Sequence, residues 1–166
     1  MRGLPPIVAP GTRLLVLGSF PGARSLALGQ YYAHPQNQFW RILSALWRED
    51  LVRLGYADRV AALQARGLGL WDVYASCERT GSLDAAIRHP APNDFAALAR
   101  SCPELRAIAH NGAESFRHAR HGAALGLPVH RLPSSSPAHA SWSFERKRDA
   151  WAEVFGRYGL LAAAAA

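Results

Sequence analysis

The sequence predicts an α/β fold, a three-layer α/β/α sandwich around a short, mainly parallel four-stranded sheet. Two observations carry that expectation. Compact apolar runs alternate with amphipathic stretches of helical period along the whole chain, which is the signature of strand–helix units. Each apolar run also stops abruptly in small or polar residues: GSFPG after Leu17, WDVYAS, HNGAES and LPSSSPAHA. In a parallel sheet those carboxyl ends share one edge, so four donor-rich loops can converge on one ligand. No internal repeat and no linker interrupts the pattern, so the 166 residues are read as one domain, 1–166, long enough to bury a core.

Residues 1–12 hold three prolines and two glycines and read as an irregular lead-in. Arg13 to Leu17 is the first strand, stopped by Gly18 to Gly22. Ala23 to His34 is expected to be mostly loop, with Ser25 capping a short turn. From Asn37 to Trp47, the spacing of Phe39, Trp40, Leu43, Leu46 and Trp47 predicts a helix, with Pro35 as its start signal. A second helix covers Tyr56 to Arg66, and GLGLWDVY gives a strand ending near Asp72. Ser82 stands in N-cap position before a helical turn over Leu83 to Arg88, and Asn93 to Arg100 is a further helix. Leu105 to Ala109 is the third strand, Ala113 to Arg120 a helix, and Pro128 to Leu132 the fourth strand. Trp142 to Tyr158 closes the chain as an amphipathic helix, and the alanines of 162–166 read as a frayed tail.

Composition narrows the function. Nineteen basic against twelve acidic side chains leave a net charge of +7, which favours polyanions, nucleic acid first. The two cysteines, Cys77 and Cys102, form no CxxC pair, so a disulfide framework, a zinc site and an iron–sulfur cluster are not expected. No stretch approaches the roughly 20 apolar residues of a membrane span, and the first residues lack the apolar core of a signal peptide. A cytoplasmic protein with reduced thiols is the expected setting. There is no GxxxxGK[ST], no GxGxxG opening a helix, no GxSxG and no HExxH, which removes the commonest nucleotide, hydrolase and metal motifs. What remains is the serine run Ser134 to Ser136, stiffened by Pro133 and Pro137, with aromatic residues beside the loops. Such a segment suits close approach to a phosphodiester, and Phe20 in its Pro-Gly loop suits base stacking.

Taken together and in this order, GSFPG, AHPQNQFW, HNG and LPSSSPAHA resemble the uracil-DNA glycosylase superfamily, most nearly its hypoxanthine-DNA (deoxyinosine) glycosylase branch. The resemblance spans 14–143. It implies base flipping, hydrolysis of the N-glycosidic bond without strand cleavage, and no metal or other cofactor. The first motif carries, in other branches, an Asp or Asn that activates the attacking water. Phe20 stands there in this chain and cannot do so. Gly18, Ser19, Phe20 and Pro21 are therefore expected to shape the base pocket.

Within the resemblance, the catalytic expectation moves to Asn37 in AHPQNQFW, whose amide would hold a water against the sugar C1′. An amide is a poor base, so positioning is its expected contribution. The structural alternative is that Asn37 only starts the following helix. Asp72 falls where relatives carry an amide that reads the flipped base. Ionised, it would accept from N1–H of hypoxanthine. Ser134, Ser135 and Ser136 are expected on phosphates, Pro137 and Ala138 as a wedge, His139 on a phosphate or the leaving base, and Asn111 and Gly112 on the DNA backbone. Lys147, the only lysine, lies outside these loops, which argues against a Schiff-base lyase step.

The expected partner is single- or double-stranded DNA carrying a damaged base, met by a monomer. Three other readings remain open at this point. The first is a uracil/thymine mismatch glycosylase. The second is a catalytically silent DNA-binding module, which the Phe20 departure keeps open. The third is a serine hydrolase using Ser134 to Ser136 with His139 and Asp72, which lacks the nucleophile elbow.

Overall fold

The computed structural model describes residues 1–163. In chain order the elements are β1 (Leu14–Gly18), α1 (Ala23–Leu28), α2 (Phe39–Trp47), α3 (Tyr56–Arg66), β2 (Leu68–Asp72), β3 (Tyr74–Glu78), β4 (Arg88–Pro92), α4 (Phe95–Ser101), β5 (Ala107–Asn111), α5 (Ala113–Phe116), α6 (Arg120–Ala124), β6 (Val129–Leu132) and α7 (Phe144–Arg157). Four strands form a wholly parallel sheet in the order β2-β1-β5-β6. β3 and β4 make a separate antiparallel pair.

The central strand explains the layers. All five residues of β1 are buried, the continuous apolar run of a strand covered on both faces. Leu14 and Val16 pack into one cluster with Leu68, Leu70, Ala107 and Ala109 of the sheet and with buried residues of α2, α3 and α7. Leu15 and Leu17, one residue out of phase, pack into a second cluster with Ile108 and with Phe95 and Leu98 of α4. Helices on both faces of a parallel sheet give the expected sandwich. Three indoles lock the first layer by donating to main-chain oxygens: Trp40 to Tyr31 at 3.2 Å, Trp47 to Leu160 at 2.8 Å and Trp151 to Pro133 at 2.9 Å.

Chain order places the site. After β1 the chain crosses to β2 on one side, and it later returns to β5 on the other. The segments leaving β1 and β5 therefore diverge, and a crevice opens outside their carboxyl ends, where such sheets bind ligands.

Several expectations are corrected. Ala23–Leu28 is a helix rather than loop, ended by Gly29 at φ +65. Ser82 does not cap a helix over Leu83 to Arg88. Its hydroxyl instead accepts from the Ala23 amide at 2.9 Å, at the start of α1, while a single 3-10 turn covers Asp84–Ala86 and β4 follows. The expected helix over Ala113 to Arg120 breaks into α5 and α6. The lead-in is irregular but tethered, with single bridges from Arg2 to Ser76 and from Ile7 to Leu70. Of the tail expected to fray, the Ala162 amide donates to Leu46 O at 3.1 Å, and 164–166 lie outside the described residues.

Candidate active site

A cleft of about 590 Å³ opens at the carboxyl edge of the sheet. It brings together Gly18, Ser19, Phe20, Pro21, Asn37, Asp72, Asn111, Gly112, Ser134, Ser135, Ser136, Pro137, Ala138 and His139, so every residue singled out in the sequence lines one cavity. It is also lined by Tyr31, Tyr32, His34, Ser82, Asp84 and Glu114, none of which the sequence singled out for the site.

The wall is held by Asn111, the last residue of β5. Its Nδ2 donates to Tyr32 Oη at 3.2 Å and to Ser135 Oγ at 2.9 Å, and its Oδ1 accepts from the Ser135 amide at 2.9 Å. Ser135 in turn offers its carbonyl to the Gln38 amide at 2.9 Å, tying the serine loop to the start of α2. Asn111 and Ser135 were both expected on DNA. Their side chains are instead spent inside the wall, Ser135 with no exposed surface. Ser134 and Ser136 also turn their hydroxyls inward, accepting from the amides of Ser136 at 3.1 Å and Ala138 at 3.2 Å. A serine run that bonds its own loop is a rigid edge rather than a linker. Gly112 allows the edge to close: it sits at φ +98, and a Cβ there would stand 3.2 Å from Ser134 Cβ.

Asn37 stands just before α2, half-buried on the cleft. Its Oδ1 accepts from the Phe39 amide at 3.0 Å, so the side chain does start the helix, as the structural alternative held. That bond fixes the amide plane and leaves one lone pair of the oxygen and both N–H groups for the cleft. The two roles are compatible, because the helix start is what orients the amide.

Asp72 ends β2 opposite Gly18, its register partner. It is 5% exposed and its Oδ2 is sealed without a hydrogen-bond donor. Burial, then the Asp84 carboxylate, push its carboxyl up to about 7, with Arg79 opposing. Asp84 reaches the cleft from the 3-10 turn, and Ser19 Oγ donates to its Oδ1 at 2.5 Å. Tyr32 was missed because its placement rests on left-handed backbone at φ +54 and a ring stacked on Phe39 at 4.1 Å, which no pattern in the sequence announces. Asp84 was missed because SLDAAI reads as an ordinary turn and its partner Ser19 is 65 positions away.

Phe20 is a correction in part. The ring touches the cleft, but it is 6% exposed and packs in the second core cluster, with the Arg79 guanidinium 5.4 Å above it. It is core first and wall second. His139 lies on the rim with Nε2 sealed and unpartnered, and burial followed by the Lys147 and Arg131 charges lowers its pKa. That direction disfavours its cation and weakens any ion pair with a phosphate. Lys147 is 2% exposed in α7 and does not line the cleft. Among the described residues no group of His, Cys, Asp or Glu side chains is arranged to hold a metal ion, and no helix is long and apolar enough to cross a membrane.

Comparison with known proteins now gives this geometry a family. The family model of the uracil DNA glycosylase superfamily matches residues 5–155. A protein of Methanosarcina barkeri named hypoxanthine DNA glycosylase is 37% identical over 156 residues, covering 94% of this chain and 98% of its own. One of the same name from Methanosarcina acetivorans is 35% identical over 154 residues, covering 93% and 97%. The solution NMR structure of a uracil DNA glycosylase candidate from Methanosarcina acetivorans superposes with a TM-score of 0.86 at 34% identity, covering 95% of this chain and 98% of that one. Sheet, cleft and relatives together define a DNA glycosylase. The chain belongs to the uracil DNA glycosylase superfamily.

Proposed function

We propose that the protein removes hypoxanthine from DNA, taking a flipped deoxyinosine into the cleft and hydrolysing its N-glycosidic bond without cutting the strand. The observation that carries this reading is the meeting of Asn37 and the unpartnered, buried Asp72 in one cleft whose volume lies in the range of small-ligand sites. The names of the two Methanosarcina relatives supply the choice of base.

In the reaction the C1′–N9 bond breaks and its electron pair leaves with the base. Water adds its oxygen to C1′, and the proton that water loses ends on the base. The sugar passes through an oxocarbenium-like state, which gains more from orientation and nearby negative charge than from a strong nucleophile. Asn37 orients the water through its fixed amide, Asp72 meets the N1–H and O6 edge of the base, and the carboxylates of Asp84 and Glu114 give the cleft its negative field. The serine edge from Ser134 to Ala138 presents a turn braced by its own hydrogen bonds, with an exposed Pro137–Ala138 tip, to the duplex. Lys147, buried away from the cleft, supports the absence of a lyase step.

Uracil is the second reading, favoured by the ring N–H and C=O that it shares with hypoxanthine on its pairing edge. Duplexes carrying single inosine, uracil, xanthine or mismatched thymine, treated with alkali after incubation, test both. Breaks that need alkali, fastest at inosine, are expected. Breaks without alkali exclude the lyase-free reading, and no product on any duplex leaves a silent binding module. The N37A variant is expected to lose about 10²-fold or more in single-turnover rate while binding the inosine duplex. An undiminished rate removes Asn37 from the mechanism.

A further inference from the structure

Two carboxyl groups sit on neighbouring residues of the GSFPG loop, and only one of them has a partner. Asp72 lies over Gly18 so closely that a Cβ there would stand 2.5 Å from its Oδ1. On the next residue, the Ser19 hydroxyl holds Asp84. Among the described residues no side chain or amide donates to the Asp72 carboxyl, and its Oδ2 is sealed from solvent. A buried carboxylate without a donor is costly, so the group keeps its proton unless something compensates.

Nothing around it compensates enough. The titratable and charged groups that face Asp72 are Asp84 from the 3-10 turn, Arg79 from the end of β3, and Tyr31 and Tyr32 from the segment after α1. Arg79 is the one cation among them: its Nε and Nη2 donate to the carbonyls of Gly81 and Pro21, its guanidinium lies over Phe20, and its buried Nη1 makes no hydrogen bond to Asp72. Asp84 is also raised by burial, with the Ser19 hydroxyl working the other way by favouring its anion. Of the two carboxyls, the one with a donor takes the charge and the one without keeps the proton.

We propose that Asp72 meets the flipped base as an uncharged carboxylic acid, kept so first by its burial without a donor and then by the Asp84 anion that Ser19 holds beside it. The proposal rests on the glycosylase reading for the identity of the ligand. A carboxylic acid presents one O–H donor beside one C=O acceptor, and the N1–H and O6 of hypoxanthine are the complementary pair. A carboxylate offers acceptors alone, satisfying N1–H while setting its other oxygen against O6. The ionised acceptor expected from the sequence therefore gives way to an acid. Xanthine and uracil carry the same lactam edge, so one acid serves the deaminated bases as a class. The acid also fits the N1 and N6 edge of adenine. Rejection of adenine then falls to the cost of flipping a correctly paired base.

The test joins two measurements. Carbon-13 carboxyl NMR follows the titration of Asp72 in the protein alone, and single-turnover excision from an inosine duplex is followed from about pH 5 to about pH 9. Asp72 is expected to titrate near 7 and the wild-type rate to fall about tenfold per pH unit above it. D84N and S19A, which remove the anion or its anchor, are expected to move both transitions to lower pH. D72N, whose amide offers a fixed donor and acceptor, is expected to be slower than wild type in acid but flat with pH, so that it overtakes wild type in alkali. A carboxyl titrating in the ordinary range, or a wild-type rate that rises through pH 7, overturns the proposal. Excision from no duplex at any pH overturns the glycosylase reading instead, and the carboxyl titration, near 7 or not, then decides this proposal alone.

Discussion

Asn111 commits its whole amide to the cleft wall, holding Tyr32 and both the hydroxyl and the amide of Ser135. Removing it strands a buried hydroxyl and a buried N–H with no partner, at a cost of about 1–3 kcal/mol for each group left unsatisfied. N111A is expected to lower urea-unfolding stability by about 2 kcal/mol and to slow excision as the serine edge loosens. A variant with unchanged midpoint and rate shows that the wall does not depend on this residue. Asn111 was legible in HNG as a site residue, but its work was not. The sequence shows a polar residue at a strand end, and its partners at positions 32 and 135 are supplied only by folding. The same limit hid Asp84, while the helix-start bond of Asn37, whose partner is two residues on, was legible.

Strands were easier to read than helices in this chain because β1, β2 and β5 open on apolar runs with abrupt ends, and burial on both faces writes itself into nearly every position. α1 was not legible: it has six residues, and the hydroxyl that caps it comes from Ser82, 59 positions later. β4 was hidden for the opposite reason, since RHPAP is exposed throughout and carries two prolines. Where elements meet, two glycines separate fold from site. A Cβ at Gly18, between β1 and β2, would meet Asp72 Oδ1 at 2.5 Å, whereas one at Gly122 of α6 would meet Val129 Cγ1 at 2.8 Å and Ile108 Cδ1 at 2.9 Å. Both overpack, at about 1–3 kcal/mol each. G18A is expected to abolish excision by displacing Asp72, and G122A to lose stability with excision largely retained below its melting point. Equal losses of activity in the two variants break the assignment of Gly18 to the site.

The net charge of +7 makes binding to any duplex salt-sensitive, and that belongs to the whole surface rather than to the cleft. Stability carries a more specific mark of the site, because two buried groups titrate in opposite directions. His110 donates from Nδ1 to Ser115 Oγ at 2.8 Å, since the Ser115 hydroxyl is itself donating to Leu17 O at 2.8 Å. That leaves Nε2 unprotonated and sealed, and burial lowers the His110 pKa to about 4. Its contribution is present above its unfolded value of about 6.5 and is lost as pH falls towards 4. Asp72 is the reverse. Its folded pKa is raised to about 7, so its contribution is full below the unfolded value of about 3.9 and is lost as pH rises through 7. A buried carboxyl on the cleft thus weakens the fold on the alkaline side. D72N cannot ionise, and it is expected to be more stable than wild type at pH 8 by about 2–4 kcal/mol in urea unfolding, with the difference closing near pH 4. A difference that stays constant across this range means that Asp72 does not change charge there. The same measurement made on H110 variants reports the acid side, so the two slopes can be assigned separately.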